Sequence, residues 1–400
     1  MKICAIIAEF NPFHKGHQKL IEMAKKQTGC DAVFCFMGQN FSQRGKPAII
    51  NKSVRAKMAI LSGADAVFEI PNALTLTNAE IFAKSMIKAV LSFKNVTHIV
   101  FGSECGDIEK LKFVAQIMND EPKQFKEFLE EELKSGNSLN LSKQIAFEKY
   151  LKNCQKDYNA KDYKKIISLP NNILGVEYIK ALLSENSKVT PVATTRVEDF
   201  SATEIRELCY SKKIIKTRPL LGDNYDIFCE ALNEQTFPDL TLFNNLKLLS
   251  LRQHTFDLTK IQDVSEGLEH KLVLEAQKCV EYGDFLKATT NKRYGENRIE
   301  RIALSNLLEI DKEVIKKTLN QKFLPYIKVL AIRKDKKLLN EISNAQTKVI
   351  MRKNDADGAL KRNKLAQELN EIDTRCEMLY SLLTHKTPNK NDLYTKLNII

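Results

Sequence analysis

Two histidines three positions apart, in His14-Lys15-Gly16-His17, are the residues of this chain best suited to chemistry on a phosphate. Imidazole N–H groups can donate hydrogen bonds to charge that develops on phosphorus oxygens. The glycine between them carries no Cβ to hold an anion away from the backbone. Such a pair needs a scaffold, and its flanks supply one. Ile3 to Ile7 is an apolar run with the length of a buried parallel strand. From Gly16 to Lys26 the pattern turns helical, with Leu20, Ile21, Met23 and Ala24 available as the buried side. Strand, polar turn and helix together aim a helix N-terminus and its free N–H groups at an anion. Histidines that merely fill a loop or a core have no need of that setting. The other common phosphate cradle, G-x-x-x-x-G-K-[ST], is not found in this turn.

The rest of the chain bounds what such a site serves. At 400 residues it is long enough for two or three domains. A 43% hydrophobic and 28% charged composition is ordinary for a globular protein. The net charge of +12 and pI near 9.1 suit a polyanionic partner. Nine cysteines include no C-x-x-C pair, and the N-terminus has no secretory apolar core. A reducing cytoplasm with free thiols is therefore expected. No apolar run is long enough to span a membrane, and the histidines and cysteines do not fall into zinc-ligand spacing.

Taken in order, residues 1 to about 105 alternate short apolar runs (Ile3–Ile7, Ala32–Met37, Ala66–Ile70, His98–Phe101) with helical segments (Gly16–Lys26, Lys52–Ser62, Asn78–Phe93). This predicts an α/β fold with a Rossmann-like, doubly wound parallel sheet. Its ligands sit beyond the carboxyl ends of the strands. Residues 108–165 read as a charged helical insertion. The α/β pattern resumes with a helix from Pro170-Asn171-Asn172 to about Leu183, an asparagine capping it, and a strand Val189–Thr195. Ser201-Ala202-Thr203-Glu204-Ile205-Arg206 then opens another helix, with Ser or Thr at its N-cap and Arg206 one turn in, a second candidate phosphate clamp. The expected division is 1–215 as the catalytic domain and 216–400 as a helical region in which strands nearly vanish. Within the latter, Lys292, Arg293, Tyr294, Arg298 and Arg301 crowd together. They combine cations with an aromatic and suit RNA, and Arg298 and Arg301 share a helix face.

These segments together resemble one family, the bacterial tRNA(Met) cytidine acetate ligases of the HIGH nucleotidyltransferase superfamily. The resemblance rests on Glu9-Phe10-Asn11-Pro12-Phe13-His14-Lys15-Gly16-His17, Gln43-Arg44-Gly45-Lys46-Pro47-Ala48, Phe101-Gly102-Ser103-Glu104, Pro170-Asn171-Asn172-Ile173-Leu174-Gly175, Thr194-Thr195-Arg196 and Ser201-Ala202-Thr203-Glu204-Ile205-Arg206. It implies an enzyme that makes acetyl-adenylate from ATP and acetate. The acetyl group then passes to the wobble cytidine of elongator tRNA(Met), giving N4-acetylcytidine. By carry-over, ATP is held by Ile7, Ala8, Glu9, Phe10, Asn11, Pro12, Phe13, His14, Lys15, Gly16, His17, Gln18, Lys19 and Leu20, with Gly102, Asn171, Arg196 and Val197. His14 and His17 are the catalytic candidates, and Lys292, Arg293, Arg298 and Arg301 the tRNA contacts. ATP is a substrate, with Mg²⁺ a possible companion; no bound metal, membrane or DNA is implied. Two other readings stay open: an adenylyltransferase acting on a small phosphorylated metabolite, and a non-enzymatic RNA-binding protein.

Overall fold

Alternation along the apolar strands assigns each side chain to one face of a central sheet. Ile3, Ala5 and Ile7 enter one core while Cys4 and Ile6 enter another, and Phe34 and Phe36 part from Val33 and Cys35 in the same way. The computed structural model describes residues 1–154, 163, 166–195, 200–253, 257–265, 267–387, 393 and 397–400. Strands β1 (Ile3–Ile7), β2 (Ala32–Met37), β3 (Ala66–Glu69), β4 (Val96–Ser103) and β5 (Thr190–Thr195) run parallel in the order β5-β4-β1-β2-β3. Helices α1 (Lys15–Thr28), α2 (Lys52–Leu61) and α3 (Ala79–Val90) make the crossovers expected from the sequence. The charged segment forms α4 (Ile108–Asp120), α5 (Lys123–Lys134) and α6 (Leu139–Cys154), followed by α7 (Pro170–Ser184) and α8 (Ala202–Tyr210). Ile21 of α1, Met58 of α2 and Ile205 of α8 pack on one face. Phe82 of α3, Leu111 of α4 and Val176 of α7 pack on the other.

Beyond residue 216 helices dominate, yet the sheet is wider than the sequence predicts. A strand β6 (Ile327–Ile332) lies antiparallel beside β3, pairing Ala66 with Ile332 and Glu69 with Lys328. On its far edge sit β7 (Val349–Ile350) and β8 (Asn398–Ile399), both parallel to β6. Lys328 disguises this strand, since a lysine in mid-run argues against a two-face-buried strand. Here it is buried because its ammonium lies 3.8 Å from Glu69. Helices α9 (Leu240–Gln253), α10 (Leu268–Lys278), α11 (Tyr282–Thr289) and α12 (Glu296–Leu307) enclose a separate core around Leu251, Leu272, Phe285 and Ile299. Helix α13 (Lys364–Leu383) returns to the sheet through Leu369, Ile372 and Tyr380.

A buried polar seam joins the sheet's end to α13. Lys52 pairs with Glu69 at 2.9 Å, and Asn40 donates to Glu377 at 2.8 Å. Asp373 accepts from the Asn72 amide (2.8 Å) and the Tyr326 hydroxyl (3.0 Å). Burial pushes the Asp373 carboxyl up to about 6, against the pull of the Asn72 N–H. Between the unfolded and folded values the native chain holds a proton that the unfolded chain has released, so stability falls as pH rises through that window. Asp373→Asn keeps an acceptor for Asn72 and removes the ionisation. Its advantage over the unmutated protein is expected to grow by up to about 3 kcal/mol between pH ~4 and ~7, read from urea midpoints. An advantage that does not vary with pH would place the titration elsewhere.

Candidate active site

The turn after β1 is held from several sides. The Ala8 N–H continues the ladder to Phe36 O at 3.1 Å. Phe10 adopts a left-handed φ of 50°, and the Asn11–Pro12 peptide is cis. The Asn11 Oδ1 accepts from Ile49 N at 2.9 Å, and its carbonyl accepts from Arg206 Nη1 at 2.6 Å. The Glu9 carboxylate takes the Gln43 N–H at 2.6 Å, while its carbonyl takes Arg55 Nη1 at 2.6 Å. Arg55 also donates to Ile50 O at 3.1 Å and to Gln39 O. Its guanidinium is fully buried, and that burial lowers it to about 10 even with Tyr380, Glu9 and Glu69 opposing. One cation thus ties together both loops that flank the carboxyl ends of β1 and β2.

The histidines form the N-terminus of α1. His14 is its N-cap, its Nδ1 accepting from Gly16 N at 3.1 Å, and the His17 Nδ1 accepts in return from His14 N at 3.3 Å. This is a capping box built from imidazoles. Because each Nδ1 accepts, the proton of each neutral ring resides on Nε2, the nitrogen suited to donate to an anion. The rings stack with centroids 3.9 Å apart, and Phe10 supports His17 edge-on at 5.0 Å. Gly16 is demanded by this packing: a Cβ there would lie 2.8 Å from His14 Cε1.

Across the sheet, β4 and α7 build the neighbouring wall. A Cβ at Gly102 would meet nothing within 4 Å, so open space adjoins that backbone. The Glu104 carboxylate caps α7, accepting from Asn171 N (3.1 Å), Asn171 Nδ2 (2.9 Å) and Asn172 N (2.8 Å). The N-cap position itself falls on Leu169, not on an asparagine, because Pro170 takes the first helical position. Asn172 is fully buried, its Oδ1 accepting from Ser103 Oγ (2.7 Å), Glu104 N (2.9 Å) and Cys105 N (3.2 Å). Asn171 is half-exposed beside it. Asn172→Ala is therefore expected to cost about 2–4 kcal/mol, since three donors lose one acceptor. Asn171→Ala should cost about 1 kcal/mol or less. Equal losses in chemical denaturation would mean the two asparagines do not divide their roles this way.

The model of the family HIGH Nucleotidyl Transferase matches residues 1–394. The tRNA(Met) cytidine acetate ligase of Caldicellulosiruptor saccharolyticus is 35% identical, covering 96% of this chain and 94% of the relative. That of Clostridium perfringens strain ATCC 13124 is 30% identical over 98% of each. The crystal structure of Thermotoga maritima TmcAL bound with alpha-thio ATP superposes with a TM-score of 0.91 at 30% identity, covering 100% of both chains. The chain belongs to the tRNA(Met) cytidine acetate ligase family of HIGH nucleotidyl transferases.

Within that family frame, the expected ATP residues fall as follows. Ile7 ends β1, Ala8 to Phe13 form the turn, His14 is the cap, and Lys15 to Leu20 open α1. Gln18 and Lys19 follow His17 on that helix, where the Lys19 ammonium lies 4.8 Å from the Phe200 ring. Arg196 and Val197 lie outside the described residues. Arg206, expected on phosphate, is engaged by the turn itself, with Nη2 on Thr203 Oγ1 at 2.9 Å. Arg55 and Phe200 are absent from the sequence-based expectations, and Glu104 appears there only within a motif, without its role as the cap of α7. For Arg55 a signal was present: a cation between Val54 and Ala56, one turn after Lys52, on the buried stripe of α2.

The basic cluster divides. Arg298 donates through Nε to Asp263 O at 2.9 Å, and Arg301 Nη2 pairs with Asp263 Oδ2 at 3.1 Å, so both shared-face arginines turn onto one loop of the protein. Lys292 is exposed and Arg293 half-exposed. Between Arg298 and Arg301 in sequence, Glu300 is buried, accepting from Lys247 and from the Tyr282 hydroxyl at 2.9 Å. Burial pulls the Lys247 ammonium down to about 8 against Glu300's attraction.

Proposed function

We propose that this protein joins acetate to the adenylyl group of ATP, releasing pyrophosphate. It then transfers acetyl from the adenylate to N4 of the wobble cytidine in elongator tRNA(Met), the acyl–phosphate bond breaking to release AMP and N4 losing a proton. The observation that carries the reading is the imidazole capping box at the start of α1, beside the open backbone at Gly102. Acetate is ionised at neutral pH and attacks the α-phosphorus without a general base. What the site must supply is positioning and relief of phosphate charge. His14 and His17 would donate from Nε2, and the N–H groups of the first turn of α1 would add their dipole. Residues Ile7–Leu20, Gly102, Asn171, Arg196 and Val197 are assigned to ATP on this reading. Among the described residues no three His, Cys, Asp or Glu gather as a metal site; any Mg²⁺ accompanying ATP would be held by phosphates and water.

The segment 216–400 is assigned to the tRNA. Lys292 and Arg293 make contacts to its backbone, while Arg298 and Arg301 hold the Asp263 loop in place beneath them. The wobble base must leave its stack to reach the site. Among the described residues no helix is long and apolar enough to cross a membrane, and a cytoplasmic setting follows from the tRNA substrate. The test is ATP–pyrophosphate exchange together with nucleoside analysis of the tRNA. Exchange that requires acetate and N4-acetylcytidine in the product tRNA are expected. Exchange driven instead by a phosphorylated metabolite would overturn the reading.

A further inference from the structure

We propose that Arg44, on the loop between β2 and α2, grips the phosphate backbone of the acceptor RNA where it enters the site, an assignment that rests on the function proposed above. The loop is fixed at both of Arg44's neighbours. Gln43 is tied to the nucleotide turn through its N–H on the Glu9 carboxylate, and its side chain donates to Thr77 O at 2.7 Å. Gly45 has a φ of 79°, and a Cβ on it would lie 3.0 Å from Arg301 N and from the Glu300 carbonyl carbon, so this backbone seats directly on α12. Arg44 is thereby presented from a rigid hairpin, closed by Ser42 and Lys46 (2.8 Å), at the seam between the nucleotide turn and the helical half.

Its side chain is exposed, and among the described residues no carboxylate pairs with it. The fold nevertheless holds it near a second cation. Arg206 is lowered chiefly by burial, with Glu9 opposing and the Arg44 charge adding to the fall. Lys46, on the other side of Gly45, is exposed and reaches Glu300 only at 3.9 Å. Cations kept close on an exposed loop are suited to a polyanion. The triphosphate is expected at the α1 N-terminus, inside the turn, whereas Arg44 faces solvent beside it. A nucleotide extruded from its stack brings flanking phosphates to the mouth of the pocket that receives its base. Arg44 and Lys46 stand where such phosphates need a counter-charge.

The experiment uses the full chain with Arg44→Ala, Arg44→Glu and Arg44→Lys. Affinity for a synthetic tRNA(Met) anticodon stem-loop is measured across a salt series, alongside acetate-dependent ATP–pyrophosphate exchange. Arg44→Ala should weaken RNA binding about tenfold at low salt and reduce the salt slope by about one. Arg44→Glu should weaken it further, and Arg44→Lys should retain most of it, since a phosphate accepts a point charge. Exchange should fall much less than RNA affinity. An equal fall in exchange would assign Arg44 to the nucleotide and overturn the proposal, as would an unaltered slope. Absence of acetate-dependent exchange in the unmutated protein would overturn the function reading itself, an outcome distinct from either.

Discussion

His14→Asn is expected to leave the fold intact and to lower acetate-dependent ATP–pyrophosphate exchange by about 10²–10³-fold, the usual loss for one donor aimed at developing charge. The choice of asparagine matters. His14 serves α1 through Nδ1, accepting from Gly16 N, and asparagine is among the best N-cap residues. The substitution therefore keeps the cap and deletes the Nε2 donor, together with the ring that stacks on His17. His14→Ala would add a helix-start defect of about 0.5–2 kcal/mol, mixing stability with chemistry. The same logic selects His17→Gln, because glutamine at the third helical position can return a hydrogen bond to His14 N as His17 does now. Binding of tRNA should be nearly unaltered in both variants. Full exchange activity in His14→Asn and His17→Gln would show that the histidines build the helix start and nothing more. Loss of exchange and tRNA binding together would contradict the separation of nucleotide and RNA contacts.

Arg55→Ala should be the most damaging single change near the site. It strips donors from the carbonyls of Glu9, Gln39 and Ile50, which the Arg55 guanidinium satisfies at the centre of the fold. Leaving buried acceptors unpaired costs about 1–3 kcal/mol each, and a total of about 3–5 kcal/mol is expected. Arg55→Lys should not rescue it, since one ammonium cannot span three carbonyls that a planar fork reaches. Exchange activity should fall with stability, because the turn carrying Glu9 to His14 loses its tie to the second loop. A loss under about 1 kcal/mol in chemical denaturation would mean the loops are held by other contacts.

Much of this was legible in the chain because local pattern and global fold agree. Ile3–Ile7 and Ala32–Met37 are uninterrupted apolar runs, and the strands begin and end where those runs do. His14-Lys15-Gly16-His17 announced a helix start, and the structure adds that the rings themselves are its caps. Features that depend on distant partners were hidden. Lys328 looks like a surface residue until Glu69 is placed beside it. The face shared by Arg298 and Arg301 was readable from their spacing, but Asp263, which both engage, lies 35 and 38 positions away. Asn171 and Asn172 are alike in sequence; only the Ser103–Cys105 loop, with its three donors, tells the buried one from its neighbour.

The antiparallel seat of β6 against β3 has a consequence for how the protein comes into being. On one side Ala66 pairs with Phe34 of β2, but on the other its partner is Ile332. At roughly 5–20 residues per second, a ribosome needs on the order of tens of seconds to deliver one after the other. Through that interval the flank of β3 is a bare strand margin, the kind that recruits other chains. The nascent protein must therefore be sheltered until its last third emerges. A fragment stopped short of β6 would be prone to clump however sound its nucleotide turn.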